Sequence, residues 1–146
     1  MNNKKLFSYA IMSIGLVMIL LGARWMLVEA PWMLDEVANV ERLGMEFNEL
    51  FEPETNNALP GYLRQIYRFF GYWVIVIGLF IVSFSTLDII ENSRIRQRML
   101  MCLGFMMTLG TILGYTLIPS SHFIYLIWIM NAVFAFCVYS HKKIAD

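Results

Sequence analysis

Apolar residues along this chain gather into four long runs, at about residues 6–28, 69–87, 99–118 and 123–139. Inside them Arg24, near the end of the first, is the one Lys, Arg, Asp or Glu. A hydrocarbon core about 30 Å thick takes roughly 20 helical residues to cross. The first three runs have about that length, and the fourth, with 17, lies at the short end. In lipid the backbone must satisfy its own hydrogen bonds, which an α-helix does within one segment. The pattern therefore predicts an all-α fold, an integral membrane four-helix up-down bundle forming a single domain over residues 1–146.

The stretch between the first two runs has a different period. Met33, Leu34, Val37, Val40, Phe47, Leu50 and Phe51 recur at spacings near three and four, with Asp35, Glu36, Glu41, Glu46 and Glu49 between them. That is the signature of an amphipathic helix, predicted over residues 31–51 with a break at Gly44. A loop over 53–61 and a helical lead beginning at Tyr62 would carry the chain into the second span. The polar face is acidic, whereas a helix that senses anionic lipid has a basic one. The segment reads as a lid over the bundle mouth or, alternatively, as an acidic surface that docks a partner.

Small residues suggest how the spans pack, because apolar surface alone does not drive helices together in lipid. Ser8, Gly15 and Gly22 are seven apart in the first span, and Gly71, Gly78 and Ser85 are seven apart in the second. Such stripes suit a left-handed crossing and make these helices neighbours, or serve a contact between two copies of the chain. Gly110 and Gly114 form a small-xxx-small pair in the third span, and Asn131 in the fourth reads as an interhelical hydrogen-bonder.

Composition agrees with lipid as the solvent: 59% of residues are hydrophobic and 15% charged, with a mean hydropathy of +0.61. Soluble domains carry about 25% charge. Net charge is zero, which gives no electrostatic reason to expect nucleic acid. The zero conceals a polarity. One end of the bundle would hold seven basic residues (Lys4, Lys5, Arg94, Arg96, Arg98, Lys142, Lys143) and three acids, for +4. The other would hold four (Arg24, Arg42, Arg64, Arg68) and eight acids, for −4. The excess of Lys and Arg in short loops marks the cytoplasmic side, which predicts cytoplasmic N- and C-termini. Trp25, Trp32, Tyr62, Tyr67, Tyr72, Trp73, Tyr115 and Tyr125 would form an aromatic belt at the outer boundary. The first run follows Lys4 and Lys5 and ends near Val28-Glu29-Ala30, like a secretory signal. It exceeds the roughly 7–15 residues of a signal's apolar region, and Pro31 would follow the cut, so it reads as a retained span.

Chemical vocabulary is sparse. The sequence contains no nucleophile elbow, no HExxH, no Gly-rich phosphate loop and no Cys/His cluster at metal-ligand spacing. Cys102 and Cys137 read as small apolar core residues, and His141 as a headgroup-level residue of the basic tail. No catalytic, metal or cofactor-binding residues are assigned. At the outer mouth stand Arg24, Glu29, Arg64, Arg68 and His122. Arg24 and Arg68 either reach lipid phosphates or acids of the lid, or border a pocket beneath the lid for an anionic or quinone-like headgroup. In the second reading Arg24, Arg68 and His122 are its cations and Tyr72 and Tyr115 its hydroxyl donors.

The acidic, Pro-containing outer segment, the stretch Leu63-Arg64-Gln65-Ile66-Tyr67-Arg68-Phe69-Phe70-Gly71 and its glycine-bearing span resemble the DoxX-like superfamily of small four-helix bacterial membrane proteins. The basic inner loop before a Gly/Thr-rich third span and the Pro119-Ser120 turn before the fourth belong to the same likeness, which is architectural and covers most of the chain. It implies a bacterial inner-membrane location. Most members of that superfamily have no assigned activity, and some are linked to quinone-coupled oxidation of sulfur compounds. The leading functional expectation is a non-enzymatic subunit or accessory partner of a membrane assembly, paired with another membrane protein or with its own copies. A binder of lipid or quinone in the outer leaflet of a redox system is the alternative, and an oligomeric channel ranks below both because no span carries a polar stripe.

Overall fold

A computed structural model describes residues 3–145. Four long helices, α1 (Asn3–Leu27), α4 (Leu59–Phe84), α6 (Ser93–Leu117) and α7 (Phe123–Ala145), are long and apolar enough to cross a membrane. Three short helices occupy the links: α2 (Glu36–Leu43) and α3 (Phe47–Phe51) between α1 and α4, and α5 (Leu87–Ile90) between α4 and α6.

The long helices do not share their boundaries with the apolar runs, because capping chemistry sets helix ends. Asn92 accepts from the backbone N–H of Arg94 (3.0 Å) and Ile95 (3.4 Å), so α6 starts well before its apolar run. Pro60 sits in the first turn of α4, where its missing N–H is harmless. Ser121 accepts from the Phe123 N–H at 3.0 Å and opens α7. With 26 residues, α4 is about 39 Å long at 1.5 Å per residue, longer than a bilayer core of about 30 Å.

α1 and α4 pack antiparallel along their length, and the two small-residue stripes interlock. The Ser8 hydroxyl donates to the Ser85 carbonyl at 2.5 Å. Gly15 faces Gly78 and Gly22 faces Gly71 so closely that a Cβ on Gly22 would lie 2.5 Å from the Gly71 oxygen, and one on Gly15 would lie 2.8 Å from that of Gly78. Only a residue without a side chain allows such an approach. Gly114 abuts Ile127, 2.6 Å from where its Cβ would be, whereas a Cβ on Gly110 would meet nothing within 4 Å. Gly110 thus faces open space among the described residues.

α1 also packs on α7, and α7 on α6. Asn131 of α7 donates to the Thr111 hydroxyl of α6 at 2.9 Å. The backbones of α4 and α6 barely approach each other, so the order around the bundle is α4, α1, α7, α6, with an apolar groove between the first and last. Cys137 is fully buried, but Cys102 is exposed in that groove rather than in the core, because its face of α6 has no neighbour.

The end that holds the termini is tied by polar contacts to backbone. Arg96 is buried, donating to the carbonyls of Ile90 (2.7 Å) and Glu91 (3.1 Å) at the end of α5 and to His141 Nδ1 (3.4 Å). His141 also lies against the Phe7 ring at 5.9 Å. It is a packed partner of a buried guanidinium, a contact that its reading as a headgroup-level residue does not include. Lys4 pairs with Glu91 at 3.4 Å. In the same link the Asp88 carboxyl is held below its usual range by the Thr86 hydroxyl.

The segment from Pro31 to Asn56 is helical in pieces, not one helix over 31–51. A 3-10 turn covers Pro31–Asp35, α2 stops at Gly44 with φ +70°, and α3 follows. A tighter 3-10 pitch and a left-handed cap each reset the helical phase. The periodic face is consequently split. Met33 and Val37 are exposed, while Pro31, Trp32, Ala38 and Phe47 are buried and the rings of Trp32, Phe47 and Phe51 cluster within 6.2 Å.

Candidate functional site

The broken segment lies across the end of the bundle opposite the termini, fixed there by arginines bonded to backbone. Arg64 Nε donates to the Glu29 carbonyl at 2.7 Å, and Arg42 reaches the Thr116 carbonyl near the end of α6 at 3.4 Å. Asn39 donates to the Trp32 carbonyl (2.7 Å) and to the Tyr67 hydroxyl of α4 (3.3 Å), joining segment to bundle.

Beneath this cover is a cavity of about 320 Å³, to which all four long helices or their links contribute. Its walls are mainly apolar: Leu21, Phe70, Ile118, Leu126 and Ile127, with Trp25 packed edge-on to Phe70 (4.9 Å) and against Phe123 (5.6 Å). Its polar groups are Asp35, Asn39 and Tyr67. Leu21, Leu126 and Ile127 also border a second cavity of about 180 Å³ nearer the middle of the bundle, lined in addition by Met106, Gly110 and Met130. A mainly apolar chamber with three polar groups thus stands above a second apolar one with common walls. This is the form of a site for a molecule with a polar head and an apolar body.

Asp35 is the unusual group. Its side chain is only 13% exposed, and Oδ1 is buried with no hydrogen-bond partner. The nearest cationic group is His122, whose Nδ1 lies 3.6 Å from that oxygen, beyond hydrogen-bond reach. A buried carboxylate oxygen without a donor is costly. A ligand hydroxyl or ammonium placed beside Asp35 in the cavity would satisfy it.

Of the residues the sequence placed around such a pocket, none lines it; His122 comes nearest, beside Asp35 at its edge. Arg24 lies exposed in the last turn of α1, where a cation complements the helix C-terminus, and makes no ion pair or hydrogen bond among the described residues. Arg68 is likewise exposed on α4 without such a partner. Neither meets an acid of the covering segment. Tyr72 is exposed, and the Tyr115 hydroxyl accepts from Trp128 Nε1 at 2.9 Å on the bundle surface. Trp25, Trp32 and Tyr67 turn inward instead of joining a surface belt. The residues that sequence reasoning passed over are Asp35, Asn39 and Tyr67. Asp35 looked like one acid of a polar face, and the 3-10 turn is what rotates it inward. The signal available for Asn39 was its place as the one uncharged polar side chain between Trp32 and Arg42.

The cavity therefore presents a carboxylate, an amide and a phenol hydroxyl, with no arginine, to whatever enters it, and the exposed His122 stands beside the carboxylate outside the lining. An anionic headgroup is disfavoured there. Among the described residues no group of three or more His, Cys, Asp or Glu could hold a metal ion. No family model, no curated protein and no solved structure matches this chain.

Proposed function

We propose that this chain is a four-span, up-down-up-down protein of a bacterial inner membrane, with its basic terminal end in the cytoplasm and its covered cavity in the outer leaflet. There it binds an amphiphile whose head donates a hydrogen bond, a quinol or an amino-headed phospholipid. The observation that supports this reading is the buried Asp35 Oδ1, which lacks a hydrogen-bond donor among the described residues and lies beside His122, in a cavity that shares walls with an apolar chamber. A hydroxyl or ammonium satisfies Asp35, and the chamber below takes the adjoining carbon skeleton. The role is accessory: the protein holds such a molecule for a membrane assembly and is not itself an enzyme. The likeness to DoxX-like proteins belongs to the same proposal.

The test is extraction of the protein, purified in mild detergent, followed by mass spectrometry of what it carries. The wild type is expected to retain one quinone-type or amino-headed lipid per chain, and Asp35→Leu and His122→Ala to lose it while remaining folded. Equal retention by all three proteins would sink the assignment.

A further inference from the structure

At the terminal end a second site emerges, unconnected to the covered cavity. The groove between α4 and α6 has a volume of about 420 Å³, within the roughly 300–1,000 Å³ of ligand pockets. Its walls are apolar, with Ile77, Phe80 and Phe84 on one side and Cys102 and Met106 on the other, and Phe80 is 62% exposed. The single charged side chain that lines it is Arg98.

Length and charge define what fits. From Ile95 to Met106 the groove wall rises about 17 Å, close to half of a hydrocarbon core of about 30 Å. The groove is therefore one leaflet deep, with its cation at the shallow end. Arg94 and Arg98 are four apart and so neighbours on one face of α6. Both are exposed, and neither guanidinium has a hydrogen bond or ion pair among the described residues. Like charges at this spacing repel, and they lie in the first turns of a helix with no acid in its first turn, where the helix dipole itself favours an anion. The third arginine of the cluster, Arg96, is committed to the carbonyls of Ile90 and Glu91.

We infer that this groove is a binding site for an anionic phospholipid of the leaflet at the terminal end, with an acyl chain between α4 and α6 and its phosphate at Arg98 and Arg94. A second copy of the chain fits poorly, since the same groove would bring its own arginines to the rim. The lipid completes the side of the bundle where α4 and α6 leave each other unpaired, and its one negative charge offsets part of the repulsion between two cations that have no acid partner among the described residues.

Cys102 makes the site easy to read, because it lines the groove while Cys137 is fully buried. The protein in neutral detergent is titrated with phosphatidylglycerol or phosphatidylcholine, with bound lipid counted by native mass spectrometry and Cys102 alkylation timed in parallel. Phosphatidylglycerol is expected to bind at least about fivefold more tightly, the effect of one basic residue near an anionic headgroup, and to slow alkylation. Arg98→Gln, a change at an exposed and unpaired position, is expected to abolish that preference. Cys102→Trp, which fills the groove, is expected to lower the binding of both lipids. Equal binding of the two lipids, or an Arg98→Gln protein that keeps the preference, overturns the proposal. So does a photocrosslinker on Cys102 that captures another polypeptide in native membranes, which would make the groove a helix-docking face.

Discussion

The two flanks of α4 use opposite devices. Toward α1, glycines on both helices let the backbones meet at Gly15–Gly78 and Gly22–Gly71, with side chains such as Val82 and Ile75 packed against them. Toward α6, the backbones stay apart and large, exposed side chains such as Phe80 and Phe84 line the groove between them. Helices in lipid gain most from close van der Waals contact and from polar bonds between them. The first flank takes the former. α6 takes the latter on its other side: it is joined to α7 by Asn131–Thr111 and to the terminal end by Arg96. One bundle therefore contains a seam that tolerates no added atom and a helix hung from a few fixed points with space beside it.

The largest effect is expected at the seam. Gly22→Ala puts a Cβ about 1 Å too close to the Gly71 carbonyl oxygen and to Ile75, and overpacking of this kind costs about 1–3 kcal/mol. The Gly71→Ala change meets the same seam from the other side. Because either substitution separates the helices at one level, the double variant is expected to cost less than the sum of the two. Thermal unfolding in detergent measures all three. A Gly22→Ala protein as stable as the wild type would break the contrast between the flanks.

This seam is also the part of the fold that was most legible in the sequence, because a seven-residue recurrence of small residues in two spans encodes an interface directly. The four apolar runs were legible for the same reason: each reports its own environment. The covering segment was not. Its break at Gly44 follows from the sequence, but the 3-10 turn that Pro31 starts does not, and each resets which side chains point inward. That local geometry brings Asp35 to His122, which follows it by 87 positions, so the site depends on a phase that no pattern of apolar residues carries. Arg96 was hidden differently. Three arginines at alternate positions look alike in sequence, and only the placement of α5 separates the one that caps its carbonyls from the two left at the groove.

A second, somewhat smaller effect is expected at that buried arginine. Arg96→Met keeps much of the apolar stem but removes the donors to Ile90 and Glu91. Hydrogen bonds to a charged group contribute about 1.5–3 kcal/mol, and the Ile90 side chain that the link buries is fully inaccessible. A loss of about 2 kcal/mol is expected, with amide exchange rising first in α5 and the start of α6 rather than along α1 and α4. Exchange that rises uniformly would mean that Arg96 holds the whole bundle, and that the seam is no more independent than α6.

The smallest effect has the opposite sign, and it is the sharpest test because the residue type is the same. Gly110 sits mid-helix in α6, borders the lower apolar chamber, and would place a new Cβ in open space. Glycine in a helix interior costs about 1 kcal/mol relative to alanine through its backbone entropy. With no contact to disturb, Gly110→Ala is expected to stabilise by up to that amount, where Gly22→Ala destabilises by more. The two glycines were indistinguishable as members of small-residue patterns, so the sign of each change separates a pattern that is an interface from one that is not. If Gly110→Ala instead destabilises the protein in native membranes while leaving the detergent-purified monomer unaffected, then α6 does have a close neighbour there, supplied by another chain. The loosely held side of the bundle would then be an assembly face.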